Sequence, residues 1–237
     1  MRLAVNIDHF ATLREARRGT EPEPALVALL AEQAGAEGIV CHLRSDRRHV
    51  KERDLQVLRQ VIKTKLNLEM AASDKMKRIA LKVRPDVVSL VPEKPDELTT
   101  EGGLNVRAHR PHLAKFIPRL QKARIRVSIF IDPDLDQIKT AAECGVDLIE
   151  INTCAYSELK PGPQRDRALE IVRKAALLGC ELGLEVHAGH GLDYRNVSPI
   201  VAIPQISELS IGFSIVARAA VVGVERAVWE MLALFEK

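Results

Sequence analysis

Eight short runs rich in Val, Ile and Leu recur along the chain, and segments with helical spacing alternate with them. We predict strands at residues 3–8, 38–43, 65–70, 86–91, 126–132, 147–153, 183–189 and 206–212. The predicted helices are residues 24–34, 54–63, 74–83, 111–123, 134–144, 165–178 and 216–235. Strict alternation of strand and helix requires parallel strands joined by right-handed crossovers. Eight such units within 237 residues predict a (β/α)8 TIM barrel.

The main structural alternative is an open, doubly wound sheet. That fold binds its ligand at one switch point behind a glycine-rich first turn, whereas no GxGxxG follows the first predicted strand. Capping residues before the predicted helices, and Gly35, Gly145 and Gly179 at predicted helix ends, mark the boundaries of the units. No internal linker interrupts them, so we expect one barrel domain over residues 1–237.

Composition narrows the classes of function. Phe, Trp and Tyr make up 3% of the chain and hydrophobic residues 46%, so aliphatic side chains must fill the core. Few aromatic rings and a net charge of +3 argue against nucleic-acid binding. No apolar run reaches the roughly 18 residues of a membrane helix, and the N-terminus turns polar too early for a signal peptide. We therefore expect a cytoplasmic protein without membrane partners, whose four cysteines are reduced.

Polar residues cluster at the carboxyl ends of the predicted strands, which a barrel would bring together in one mouth. They are Asp8, His9, His42, Glu69, Glu93, Lys94, Asp132, Glu150, Asn152, His187 and His190. A carboxylate inside a strand, such as Glu69 or Glu150, is costly to desolvate unless it is paired or protonated. One interpretation of Glu69 and of Glu150 is that each carboxylate forms a structural ion pair with an Arg or Lys. We favour a carboxyl group whose pKa is raised toward working pH, as a general base requires.

The histidines and basic residues near this mouth also have two interpretations each. His42 could be a satisfied core residue, but it ends a predicted strand and opens the basic stretch 44–53, which favours a functional role. His190 lies between two glycines. This segment is either a glycine-rich turn with an exposed histidine or a loop whose backbone approaches a ligand closely. The basic stretch could be a solvated face, although arginines at a barrel mouth match phosphate oxygens. Gly212, after the last strand, lies where many barrels hold a phosphate.

A metal site drawn from His42, Glu69, Glu150, His187 and His190 is a less favoured alternative. The sequence contains neither HExxH nor the HxH of common hydrolase barrels. We therefore predict no metal.

Motifs spread over the chain resemble those of the pyridoxine 5'-phosphate synthase family of vitamin B6 biosynthesis. The motifs are Val5-Asn6-Ile7-Asp8-His9, Ala11-Thr12-Leu13-Arg14, Ala31-Glu32-Gln33-Ala34-Gly35-Ala36, His42-Leu43-Arg44, Asp46-Arg47-Arg48-His49, Asn67-Leu68-Glu69-Met70, Val91-Pro92-Glu93-Lys94, Thr99-Thr100-Glu101-Gly102-Gly103-Leu104 and Ala188-Gly189-His190-Gly191-Leu192. Together they are far more specific than any single barrel motif.

The resemblance implies a barrel that condenses 1-deoxy-D-xylulose 5-phosphate with 3-amino-2-oxopropyl phosphate and releases phosphate and water. It implies no metal, no organic cofactor and a homo-oligomer. By this resemblance the general bases are His42 and Glu69, the general acid is His190, and Glu150 stabilises charge in intermediates. The xylulose phosphate would be bound by Asp8, His9, Arg44, His49 and Thr99. The amino-ketone phosphate would be held by Asn6, Arg17, Gly191, Gly212 and the backbone N–H of Phe213.

Five positions depart from the family pattern. Phe213 stands where the family usually has histidine, so a side-chain contribution to phosphate binding is lost. Asn152-Thr153-Cys154 replaces His-Thr-Gly, His187 replaces asparagine, and Ala217 replaces glycine. We place these changes around the phosphate end of the site, so they concern substrate affinity or preference more than reaction class.

Two rival functions are compatible with the same fold. A phosphosugar aldolase that forms an imine would need a lysine inside a late strand, and Lys94 after the fourth strand is the nearest candidate. A barrel kept as a binding or assembly module would not need several carboxylates and imidazoles around one mouth. Small phosphorylated substrates are the partners that we expect.

Overall fold

The computed structural model describes residues 1–93 and 102–236. Their strands form a closed parallel barrel in sequence order, in which β1 also pairs with β8. The strands are β1 Arg2–Asn6, β2 Gly38–His42, β3 Lys65–Met70, β4 Val87–Leu90, β5 Arg126–Ile131, β6 Leu148–Asn152, β7 Glu185–Gly189 and β8 Ile206–Ile211. The predicted (β/α)8 TIM barrel is confirmed. One domain over residues 1–237 stays a prediction.

Helices surround the barrel on its outer side. They are α1 Asp8–Ala16, α2 Pro24–Gln33, α3 Glu52–Val61, α4 Asp74–Val83, α5 Val106–Gln121, α6 Leu135–Glu143, α7 Cys154–Ser157, α8 Pro163–Glu181, α9 Ser198–Val201, α10 Phe213–Val222 and α11 Val224–Leu232. Side-chain oxygens cap several of them, as the sequence predicts. The carboxylate of Glu23 accepts from the Ala25 N–H, and Ser73 and Asp134 cap α4 and α6 in the same manner.

The main hydrophobic core lies between the strands and the helices. Along β3, Leu66 and Leu68 belong to this core, whereas Lys65, Asn67 and Glu69 alternate with them and face the barrel axis. Buried aromatic side chains among the described residues are few, namely Phe10, Phe116, Phe130 and Tyr156. The barrel is therefore aliphatic on its outside and unusually polar along its axis.

Helices α1, α7 and α9 were not predicted, and the helices predicted at residues 111–123 and 216–235 have different bounds. Helix α1 begins at Asp8, so Asp8 and His9 open a helix instead of ending a strand. Helix α5 begins at Val106, ahead of Pro111, because Asn105 caps it by accepting from the Ala108 N–H. The predicted last helix is divided into α10 and α11 at Gly223, whose φ of 88° interrupts a right-handed helix. Across the described residues, every helix is too short or too polar to cross a bilayer.

Candidate active site

The carboxyl ends of the strands surround a cavity of about 1040 Å³. All four predicted catalytic residues line it, namely His42, Glu69, Glu150 and His190. So do eight predicted substrate-binding residues, namely Asn6, Asp8, His9, Arg44, His49, Gly191, Gly212 and Phe213. The barrel therefore brings together residues that lie up to 207 positions apart in the sequence, from Asn6 to Phe213.

The junction between β1 and α1 forms one wall of the cavity. Asn6 accepts a hydrogen bond from the Asp8 N–H through Oδ1 (2.9 Å) and donates one from Nδ2 to Asp8 Oδ2 (3.2 Å). The other carboxylate oxygen of Asp8 accepts from the backbone N–H of His42 at 2.7 Å. These contacts tie the end of β1 to the end of β2, so the helix start at Asp8 fixes the position of His42.

Glu69 and Glu150 are the two glutamates that line the cavity among the described residues. In the part of the chain that the structure describes, neither carboxylate lies within ion-pair distance of a Lys or Arg, and the nearest partner of Glu69 is His42 Nδ1 at 3.9 Å. Burial and the negative charges of Glu150 and Asp8 raise the pKa of Glu69 well above its usual value. Burial and the charge of Glu208 raise the pKa of Glu150 to about 8. The Glu150 carboxyl can therefore exchange protons near neutral pH, and the pKa of Glu69 is shifted in the same direction.

Gly189 is the residue that makes room for Glu150. A Cβ at position 189 would lie 2.4 Å from Glu150 Oε1 and 2.9 Å from the Ser210 carbonyl oxygen. The Glu150 carboxylate therefore occupies the space that a side chain on β7 would fill. A side chain at position 189 would therefore require the Glu150 carboxylate to move and would press against the backbone of β8.

The loop after β7 presents His190 in a strained backbone conformation. His190 has φ of 78°, in the left-handed region that non-glycine residues seldom adopt. Thr153 holds the segment because its single hydroxyl proton is shared between the carbonyl oxygens of Gly189 (2.8 Å) and His190 (2.6 Å). Burial lowers the pKa of His190. Gly191 also has positive φ, and a Cβ there would lie 2.0 Å from Ser157 Oγ.

The start of α10 forms the adjacent part of the wall, beside the junction of β1 and α1. Helix α10 begins at Phe213, and its first-turn N–H groups have no partners within the helix, which is the arrangement that binds phosphate. A Cβ on Gly212 would lie 3.1 Å from Asn6 Cβ, so β1 and β8 approach closely here. The side chain of Phe213 is 69% exposed and packs edge-on against His9, with ring centroids 5.3 Å apart. Phe213 thus contributes an apolar rim beside a polar backbone.

The basic side of the cavity contains four arginines. Arg44 was predicted, and Arg48 belongs to a motif that the sequence displays. Arg195 and Arg218 also line the cavity, and neither was predicted. Arg218 pairs with Glu230 at 2.7 Å. The position of Arg195 four residues beyond Gly191 was the available signal, because loops after late strands reach the mouth of a barrel.

A second set of contacts supports His49. Arg14 donates to both oxygens of Asp54 at 2.8 Å and to the carbonyl oxygen of His49 at 3.1 Å. The buried Arg14–Asp54 pair joins α1 to the start of α3. Burial is the main cause that lowers the pKa of His49. This structural ion pair keeps an imidazole at the cavity wall.

Not every predicted residue lines the cavity in the part of the chain that the structure describes. Arg17 follows the end of α1 on the protein surface and does not line the cavity. Thr99 lies outside the described residues, as does Lys94. His187 was placed at the mouth, but its side chain lies deeper in the barrel, where it contacts Glu185 at 2.9 Å and Glu208 at 3.5 Å.

One group of side chains offers donors for a metal ion. Single donor atoms of Asp8, His42 and Glu69 lie within 4.8 Å of one another. Both oxygens of Asp8 already accept hydrogen bonds, from the His42 N–H and from Asn6. Because the Asp8 carboxylate is used in this way, the three side chains suit a hydrogen-bonded acid–base cluster better than a metal site.

Comparison with known proteins agrees with this geometry. The profile of the family described as pyridoxal phosphate biosynthesis protein PdxJ matches residues 3–237. A pyridoxine 5'-phosphate synthase of Chlorobium luteolum is 54% identical over 99% of both chains. One of Syntrophotalea carbinolica is 55% identical over 97% of this chain and 96% of its own.

Among solved structures, the fold is shared at much lower sequence identity. A protein titled KGPDC from Streptococcus mutans superposes with a TM-score of 0.66 at 13% identity, over 99% of this chain and 96% of the other. At that identity the likeness concerns the fold alone. The family match and the relatives that are more than half identical decide the assignment: this chain belongs to the PdxJ family of pyridoxal phosphate biosynthesis proteins.

Proposed function

We propose that the protein is a pyridoxine 5'-phosphate synthase that condenses 1-deoxy-D-xylulose 5-phosphate with 3-amino-2-oxopropyl phosphate. The observation that carries the proposal is the pair Glu69 and Glu150, a half-buried and a buried carboxyl group that face one cavity without a Lys or Arg partner among the described residues. Ring closure from these substrates requires imine formation, eliminations, addition of water and an aldol step. Each of these steps moves a proton, so a cavity with several exchangeable protons suits the reaction.

The general bases in this proposal are His42 and Glu69. The amino-ketone enters with an ammonium group that must lose a proton before nitrogen can attack the ketone. Its positive charge beside Glu69 would favour the carboxylate form, against the burial that disfavours it. Glu69 would therefore ionise as the substrate arrives and collect the proton that the amine gives up.

Glu150 stabilises charge in the intermediates. With a pKa of about 8, it can be a neutral hydrogen-bond donor to a developing oxyanion or an anion beside a cationic imine. His190 is the general acid that protonates leaving oxygen atoms. Burial disfavours its protonated form, and the negative charge of a bound phosphate would favour it.

Two parts of the cavity wall are suited to the two phosphate groups. The xylulose phosphate would lie against Asp8, His9, Arg44, His49 and Thr99. The amino-ketone phosphate would lie between Asn6, Gly191, Gly212 and the N–H groups that open α10 at Phe213. Arg17 is a surface residue in this chain, so its predicted contact with that phosphate requires another element to bring them together.

The experiment incubates the purified protein with both substrates and follows inorganic phosphate and the absorbance of a 3-hydroxypyridine. Stoichiometric appearance of both supports the proposal. Release of neither, over a range of pH, would overturn it.

An aldolase or isomerase acting on phosphosugars is the second candidate. None of the described residues that line the cavity is a lysine, which an imine-forming aldolase needs. Trapping of a substrate adduct on the protein by borohydride would favour this candidate over the synthase.

Assembly and location belong to the same proposal. We expect a cytoplasmic homo-oligomer that uses no metal or organic cofactor and binds no nucleic acid. Val221 of α10 and Trp229 of α11 are 78% and 66% exposed, which favours burial of this apolar surface between subunits. The mass from light scattering in solution measures the oligomeric state.

A further inference from the structure

Glu93, just after β4, makes an ordered contact with His42. Its Oε1 lies 3.1 Å from His42 Nε2, and its Oε2 accepts from the Ser45 N–H at 3.0 Å. The two side chains are 10% and 5% exposed. Both oxygens of one carboxylate are therefore committed, one to the imidazole and one to the loop that follows β2.

Glu93 is an acceptor in both contacts. Although burial opposes ionisation, hydrogen bonds from His42 and Ser45 lower the pKa of Glu93 to about 2. An ionised carboxylate cannot donate, so the shared proton lies on His42 Nε2. In the neutral ring, the lone pair is then on Nδ1.

His42 Nδ1 is the ring nitrogen on the side of Glu69. It lies 3.9 Å from Glu69 Oε2, and both residues line the cavity. Asp8 holds the backbone of the same residue through its N–H at 2.7 Å. The ring is thus fixed at its backbone and at Nε2, with only Nδ1 left to receive a proton.

We propose that Glu93 is a positioning residue, which fixes His42 in the Nε2–H tautomer so that Nδ1 takes the substrate proton. The inference rests on the proposed function, in which His42 is a general base. Glu93 is absent from the described cavity lining, so it acts through His42 and does not contact substrate. Its loss should lower kcat and leave the KM for both substrates within about twofold.

Glu93→Gln tests this inference because an amide has only one acceptor oxygen. The Ser45 N–H and the His42 Nε2–H each need an acceptor in these positions. If the amide oxygen faces Ser45, its NH2 faces His42 and favours a proton on Nδ1 instead of Nε2. The base is then blocked, and we expect kcat to fall about 100-fold or more, as loss of a general base does. Glu93→Asp keeps the ionised acceptor and should retain more activity than Glu93→Gln.

The matched control is Glu185→Gln. Glu185 also contacts a histidine, since its Oε1 lies 2.9 Å from His187 Nε2, but it does not line the cavity. The same change of carboxylate to amide at this position should leave kcat within about threefold. An equal loss of kcat in both variants would overturn the proposal, because it would reflect general destabilisation.

The tautomer itself is read by ¹⁵N NMR of labelled protein at pH 8, with His42 assigned by its substitution to Gln. We expect Nε2–H in the wild type and Nδ1–H in Glu93→Gln. A wild-type ring protonated on Nδ1, or wild-type kcat in Glu93→Gln, would contradict the inference. The spectrum needs no turnover, so an Nε2–H ring in a protein without synthase activity would overturn the proposed function and leave the positioning of His42 intact.

Discussion

The two ends of the barrel differ in how their carboxylates are paired. At the amino end, each carboxylate of one side-chain cluster pairs with at least two positively charged or imidazole groups. This floor cluster consists of Arg2, Lys65, Arg126, Glu185, His187 and Glu208. At the mouth, Glu69 and Glu150 have no Lys or Arg partner among the described residues.

The pKa directions follow from this difference. Hydrogen bonds from His187, Arg126 and Arg2 lower the pKa of Glu185, although burial opposes them. Burial and neighbouring carboxylates raise the pKa of Glu69 and Glu150, and for Glu150 they outweigh the opposing charge of Lys65. Charges that are compensated hold the barrel together, whereas charges that lack compensation are available to exchange protons.

Replacing Glu69 with Gln should have the largest effect at the mouth. The amide cannot take a proton, so we expect kcat to fall about 10²- to 10⁴-fold while the fold is retained. Steady-state kinetics and circular dichroism measure the two quantities. Wild-type turnover would remove Glu69 from the mechanism.

The same substitution in the floor cluster should affect stability instead. Glu208 is 2% exposed and contacts Arg2, Lys65 and His187, so Glu208→Gln leaves buried positive charge uncompensated. We expect the free energy of unfolding to fall by about 3 kcal/mol or more. Urea denaturation measures it. An unchanged midpoint, together with a 100-fold loss of kcat, would reverse the roles assigned to the two ends.

The unpaired carboxyl at position 150 should make stability depend on pH. Its pKa is about 8 in the folded protein and lower in the unfolded chain, so the folded state binds more protons between these values. Stability should therefore decrease as pH rises from about 5 to 8, by roughly 3 to 4 kcal/mol for this group. Thermal unfolding of wild type and Glu150→Gln over this range tests it. The variant should lose less stability, and parallel curves would contradict the assignment.

The layer between the two ends offers the smallest effect. Ser128 Oγ is buried without a hydrogen-bond partner among the described residues, although Ser89 Oγ nearby donates to Asn67 Oδ1 at 3.0 Å. Ser128→Ala removes an unsatisfied polar atom, so the free energy of unfolding should increase, by less than about 1 kcal/mol. A loss above that amount, measured by urea denaturation, would show that the hydroxyl has a structural partner.

The sequence predicts the barrel well because its strands are runs of branched aliphatic residues with clear boundaries. Strand β3 has the predicted bounds of 65–70, and the other strands differ by one or two residues at an end. Helix α1 was missed because it follows β1 after a single residue and is mostly polar. Gly179 was predicted to end a helix, but it lies inside α8, where a Cβ would meet Val186 at 2.8 Å.

Residue types and motifs predicted which residues belong to the site better than they predicted where each side chain lies in the barrel. A pattern of alternation shows that His187 faces the barrel axis, but not how far along the axis it lies. That depth depends on the stagger between strands, in which His187 pairs with Glu150 on one side and Glu208 on the other. Contacts such as Glu93 to His42 join residues 51 positions apart, and no local pattern encodes them.

The most direct test of the contrast between mouth and floor is ¹³C NMR titration of glutamate side-chain carboxyl carbons, assigned with Glu69→Gln, Glu150→Gln and Glu185→Gln. We predict that the Glu150 carboxyl titrates near pH 8 and that the Glu69 carboxyl titrates well above the usual range of a glutamate, while Glu185, whose pKa is lowered by its contacts in the floor cluster, titrates below that range. Full ionisation of both mouth carboxyls at pH 5 would contradict the account.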